Sequence, residues 1–150
     1  MLKTSEAAYK IIRKYESLRL VAYQCTSNKW TIGWGHTKGV KQGDRITKER
    51  AEILLVEDVR ECEINLNKYR LPLSQNQYDA LVSFTFNIGD KQFSTSTMLK
   101  KLKTNVDDPT IAHEFSRWIF SGGVVQNGLI KRRNEESALY FTIGQPLWMR

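Results

Sequence analysis

Residues 18 to 46 differ from everything around them. Leu20, Ala22, Trp30, Ile32 and Trp34 alternate, Thr26-Ser27-Asn28-Lys29 reads as a turn, and Gly33, Gly35, Gly39 and Gly43 punctuate short segments. On either side, apolar residues recur every three or four positions, the period of a helix face. This pattern predicts a small antiparallel sheet of two or three strands with tight loops, set into an otherwise helical chain. The fold class that follows is α+β, a small sheet-bearing lobe ahead of a larger helical lobe with a cleft between them.

The helices can be placed from their caps. Thr4 or Ser5 opens a first helix carrying Ala8, Ile11, Ile12 and Tyr15 on one face, which fades at Glu16-Ser17. Thr47 caps a long helix with Ala51, Leu54, Leu55, Val59, Cys62 and Leu66 on one side. After Pro72, Ser74 and Gln77 have capping-box spacing and start a helix through Tyr78, Leu81, Val82 and Phe86, which Gly89 stops. Thr95 or Ser96 opens a shorter helix with Met98, Leu99 and Leu102. Asp108-Pro109 begins another, holding Ile111, Phe115, Trp118 and Ile119 and ended by Gly122-Gly123. A last helix runs from about Leu129 to Phe141. With no linker or repeat, the expectation is one domain over 1–150, with its sheet-bearing part near 18–46 and its helical part near 47–143.

Length and charge bound the function. At 150 residues the chain can bury a sizeable core. Lys and Arg total 23 against 16 Asp and Glu, a net +7 that suggests a polyanionic partner: nucleic acid, an anionic membrane face or an acidic polymer. The basic residues are dispersed and no DNA- or RNA-binding motif appears, which argues against nucleic acid. The apolar run Ile53-Leu54-Leu55-Val56 is too short for a membrane span, and the polar start predicts neither signal peptide nor anchor. Cys25 and Cys62 could make one bridge at most, and a reducing compartment is expected.

Glu16 is one acid among many, but its position is unusual. It falls at a helix C-terminus, where the macrodipole disfavours a negative charge, and the apolar stretch Leu18 to Tyr23 follows. Those are conditions for holding the proton that a general acid must deliver; Arg19 works against them. Cys25 comes nine residues on and Thr31 six further, in the strand-turn-strand segment.

The text around these residues carries more than their spacing. Tyr15-Glu16-Ser17-Leu18-Arg19-Leu20-Val21-Ala22-Tyr23, then Trp30-Thr31-Ile32-Gly33-Trp34-Gly35-His36-Thr37, resembles the signature of the phage-type lysozymes, the endolysins of glycoside hydrolase family 24. That signature has an acid-Gly-x-Arg-Leu-x-x-Tyr stretch followed by a Thr-Ile-Gly-x-Gly-His strand. The resemblance continues through Leu73 to Leu81, Phe84 to Gly89, Ser96 to Leu99 and Gly128 to Glu136.

It implies a lysozyme-like fold and hydrolysis of the β-1,4 bond between N-acetylmuramic acid and N-acetylglucosamine in peptidoglycan. It further implies that Glu16 is the proton donor, that Thr31 positions water or the second group, and that Cys25 stands where many members carry aspartate. An ordinary thiol is mostly protonated at neutral pH. Cys25 therefore serves as a nucleophile, as a charge beneath the developing cation, or as a passive neighbour. His36, Phe86, Asn87, Thr97 and Arg132 are candidates for substrate binding, with Arg132 either holding a stem-peptide carboxylate or orienting Glu16. Cys62 reads as a buried thiol, and the alternative is a Cys25–Cys62 disulfide that silences the enzyme until reduction. His36 and His113 lack partners at metal-ligand spacing, so no metal and no cofactor is expected. The expected partner is peptidoglycan, with lipopolysaccharide as a secondary contact, no stable membrane insertion and a monomeric state. Accumulation in the host cytoplasm until release, then action on the wall from the periplasm, completes the expectation. A nucleic-acid-binding module and a catalytically dead wall-binding domain are the rival readings.

Overall fold

The computed structural model describes residues 1–145. Helix α1 (Glu6–Glu16) lays Ala7, Ala8, Ile11 and Ile12 into the core. Ser5 occupies its N-cap, but the Ser5 side chain does not cap the helix. Its hydroxyl and its backbone N–H instead donate to the buried Asp79 carboxylate, the latter at 2.8 Å. Burial pushes the Asp79 carboxyl up, and these hydrogen bonds oppose that shift.

Strands β1 (Arg19–Gln24) and β2 (Trp30–Gly33) pair antiparallel across the turn at residues 25–29. Asn28 takes the left-handed conformation there (φ 63°), which asparagine tolerates well. A third segment adds one bridge, Val21 to Arg45, flanked by Ala22 N–H to Asp44 O and Ile46 N–H to Leu20 O. The alternation expected of β1 does not sort its side chains, since Leu20 and its neighbour Val21 are both exposed. The sheet buries itself through β2, where Thr31 and Ile32 are covered. Ile32 and His36 then exchange both backbone hydrogen bonds, folding Gly33-Trp34-Gly35 into a tight loop (Gly33 φ 64°, Gly35 φ 76°).

The helical part follows. Thr47 caps α2 (Lys48–Asn67) by accepting from the Arg50 N–H, and the face expected to be buried is buried, with Cys62 half-covered. Helix α3 (Gln75–Ile88) opens with the capping box of Ser74 and Gln77 and stops at Gly89 (φ 86°). It is the central helix, buried continuously from Asn76 to Thr85. Around it lie the short α4 (Asp90–Ser94), α5 (Thr97–Thr104) capped by Ser96, α6 (Ile111–Ser116) and α7 (Asn127–Tyr140). Phe84 of α3 meets Phe93, Phe115 and Trp118 edge-on, with centroids 6.4, 5.1 and 6.2 Å away.

Two expectations need correcting. The helix opened by Asp108-Pro109 ends at Ser116 and does not reach Gly122. Gly122-Gly123, with φ 57° and 77°, instead turns a hairpin between β3 (Phe120–Ser121) and β4 (Val124–Val125). Two central residues at positive φ match the twist of a two-residue hairpin loop, so the glycines make a turn where a helix stop was expected. Helix α4 was not foreseen at all. Among the described residues no helix is long and apolar enough to cross a membrane.

Ser17, the C-cap of α1, has φ 56° and ψ 147°. That region is comfortable for glycine and costs other residues on the order of 1–3 kcal/mol. Ser17→Gly is therefore expected to stabilise the protein by about 1 kcal/mol after the extra freedom of the unfolded glycine is deducted. The check is a higher denaturant midpoint at unchanged slope; an unchanged or lower midpoint would show that the serine is not strained.

Candidate active site

Glu16 ends α1 beside the unusual backbone of Ser17, and its side chain is 19% exposed. From α7, the Arg132 guanidinium reaches it and forms an ion pair. Arg132 is itself buried, 2% exposed, and its other donors are used: Nε bonds Glu136 at 3.1 Å and Nη2 bonds the Ser83 carbonyl at 3.0 Å. Glu136 accepts the Ser83 hydroxyl at 2.6 Å and pairs with Arg133 at 2.8 Å. Two carboxylates and two guanidiniums thus balance inside the protein. Burial works against the Arg132 charge, but Glu16 and Glu136 outweigh it and hold the guanidinium ionised.

The other side of the carboxylate is set by Gly35. A Cβ there would lie 2.5 Å from Glu16 Oε1, and at the residue's φ of +76° any side chain would be strained. The Gly-x-Gly-His stretch therefore keeps a space for the carboxylate as well as making a turn.

Glu16 opens onto a cleft of about 900 Å³. Cys25 and Thr31 line its sheet-bearing wall, and Phe86, Asn87 and Trp118 line the helical wall. Cys25 follows β1, its N–H bonded to the Lys29 carbonyl at 3.0 Å and its Sγ 3.0 Å from the Ser27 hydroxyl. Burial raises the thiol's pKa, but hydrogen bonding within the turn, from the Ser27 side chain foremost, brings it down to about 7. Thr31 is buried, its hydroxyl donating to the Lys29 carbonyl at 3.1 Å. Cys62, on α2, belongs to a separate neighbouring pocket, and burial pushes its thiol up to about 12. Both thiols are free, so the disulfide is not formed.

Of the residues predicted from sequence, Glu16, Cys25, Thr31, Phe86 and Asn87 share this cleft. Three do not line it. His36 has both ring nitrogens engaged, Nδ1 with Asp58 of α2 at 2.8 Å and Nε2 with the Lys38 carbonyl at 2.9 Å, which ties the sheet-bearing part to α2. Thr97 is exposed on the first turn of α5. Arg132 lies behind Glu16, so of its two expected roles the geometry favours orienting that carboxylate over holding a substrate's. Sequence reasoning missed Tyr23, Trp118, Phe120 and Ser121 as lining residues. Tyr23 stands in the quoted signature stretch, stacked under Arg19 at 4.3 Å. Phe120 and Ser121 were concealed by the helix expected there.

Two outcomes are expected. Iodoacetamide should alkylate Cys25 with a rate that climbs as the thiolate forms, half-maximal near pH 7, while Cys62 stays unmodified through pH 9; peptide mass spectrometry reads both. Equal labelling of the two thiols, or a Cys25 midpoint above pH 8.5, would refute the hydrogen-bonded thiolate. Gly35→Ala, which must displace Glu16, should slow clearing of permeabilised bacterial cells about 100-fold. Wild-type clearing would mean the carboxylate is not held where it is described.

Similarity to known proteins identifies the family. The family model for phage lysozyme matches residues 13–136. The endolysin of Acyrthosiphon pisum secondary endosymbiont phage 1 is 47% identical over 142 residues, covering 91% of this chain and 96% of that protein. The endolysin of Bacillus phage B103 is 39% identical, with 94% of this chain aligned to 55% of that longer protein. Among solved structures, the muramidase domain of SpmX from Asticaccaulis excentricus superposes with a TM-score of 0.84 at 36% identity, covering 95% of this chain and all of that one. The chain belongs to the phage lysozyme family.

Proposed function

We propose that this peptidoglycan-hydrolysing enzyme is an endolysin that cleaves the β-1,4 bond between N-acetylmuramic acid and N-acetylglucosamine. The observation that carries the reading is the meeting, in one cleft, of an Arg132-held Glu16 with the Cys25 thiol. Glycoside cleavage needs a proton on the leaving oxygen and a second group on the opposite face of the sugar. In this reading Glu16 delivers the proton, and Arg132 positions its carboxyl. Cys25, half ionised at neutral pH, offers the negative group, and Thr31 beside it positions that group or the water. The thiolate then either displaces the protonated leaving sugar from the anomeric carbon, giving a thioglycosyl-enzyme whose C–S bond is broken by a water that the Glu16 carboxylate deprotonates, or takes a proton from a water that attacks that carbon directly. The first route retains the anomeric configuration and the second inverts it.

Asn87 and Phe86 offer an amide and an aromatic edge to the sugars along the helical wall. The net +7 suits the lactyl and peptide carboxylates of the wall polymer. The reaction asks for two protein groups and water, with no cofactor. We further infer a monomer of one domain that accumulates in the host cytoplasm and acts from the periplasm after release.

Turbidity of chloroform-permeabilised Gram-negative cells tests the reading. Glu16→Gln should abolish clearing, Cys25→Asp should retain it, and Cys25→Ala should lose most of it. The products should carry new reducing ends on N-acetylmuramic acid, with anomer analysis separating the two Cys25 routes. Clearing by Glu16→Gln at the wild-type rate would sink the assignment.

A further inference from the structure

The β3–β4 hairpin reaches from the helical part over the cleft that holds Glu16. Phe120 and Ser121 line that cleft with Trp118. Ser121 also meets the opposite wall, its hydroxyl 3.0 Å from that of Thr26 in the β1–β2 turn. Phe120 has no place in the core and is 57% exposed. A phenyl ring left in water forgoes burial, which marks it as a contact surface. Val124 and Val125 on the same hairpin are also exposed, but they do not line the cleft. Phe120 is thus an unburied aromatic facing the space where a polysaccharide must lie. A pyranose presents an apolar face of C–H groups, and an aromatic ring is its complementary platform.

We propose that the hairpin binds the glycan strand, with Phe120 stacking on a sugar ring at the cleft edge and the Ser121–Thr26 contact parting to admit the chain. The ligand class rests on the muramidase reading above, whereas the roles of Glu16 and Cys25 do not enter. The hairpin is suited to this task because its two strands are held by their own ladder and by the Gly122-Gly123 turn, leaving the Phe120 ring free for a ligand.

The test uses purified Gram-negative sacculi and two readouts. For activity, Phe120→Ala should raise the half-saturating substrate concentration about five- to tenfold, as loss of one aromatic stack implies, with limiting rate within about twofold and an unchanged pH profile. Phe120→Trp should behave as wild type, and so should Val124→Ala, on the same hairpin but outside the cleft. For binding, cosedimentation of Glu16→Gln with sacculi should weaken by the same factor when Phe120→Ala is added. Unchanged saturation and binding in Phe120→Ala would overturn the proposal, as would failure of Phe120→Trp to rescue, or equal weakening by Val124→Ala. If the protein binds through Phe120 yet releases no reducing ends, the muramidase reading falls and the hairpin's role stands.

Discussion

The structure depends on one buried ion pair. Arg132 is inside the protein, and a guanidinium there is tolerable only if every donor finds an acceptor. Glu16, Glu136 and the Ser83 carbonyl supply them, which fixes α7 against both α1 and α3. Removing one member would leave an uncompensated charge, on the order of 3–5 kcal/mol for a buried pair. The arrangement therefore couples the position of the cleft carboxylate to the packing of the helical core. The Arg133 guanidinium, stacked 5.0 Å over Phe84 and paired with Glu136, extends that coupling into the aromatic cluster around Phe84, Phe93 and Phe115.

Most of the helical frame is legible in the sequence because its signals are local. Ser74 and Gln77 satisfy each other's backbone within one turn, and Thr47 and Ser96 do the same for their own helices, so spacing alone reveals them. Ser5 is different. It has the sequence of a cap, but its hydrogen bonds go to Asp79, 74 residues away, a partner that spacing cannot supply. The β3–β4 hairpin was missed for a related reason. Gly122-Gly123 suits either a helix stop or a hairpin turn, and the choice rests on packing around Trp118.

The candidate site was legible to the extent that it lies in one continuous stretch. Glu16, Cys25 and Thr31 come from a helix end and the hairpin after it, so their convergence needs no long-range folding. His36 and Arg132 carried the same kind of signal, yet their partners, Asp58 and the Glu16–Glu136 pair, turn them away from the cleft. At Cys25 the local chain does what a neighbouring cation would do elsewhere. The Ser27 hydroxyl, two residues on, sits 3.0 Å from the sulfur, so the thiolate is favoured by the turn itself.

The separation between Glu16 and Arg132 has a consequence in time. They are 116 residues apart, one at the end of α1 and the other in α7. A ribosome that has released α1 and the sheet has made Glu16, Cys25 and Thr31, but not the cation that orients the first of them. Until α7 docks, the nascent chain and any fragment truncated before it lack a completed site. Assembly of the cleft is thereby deferred until α7 has been made and has docked against α1 and α3.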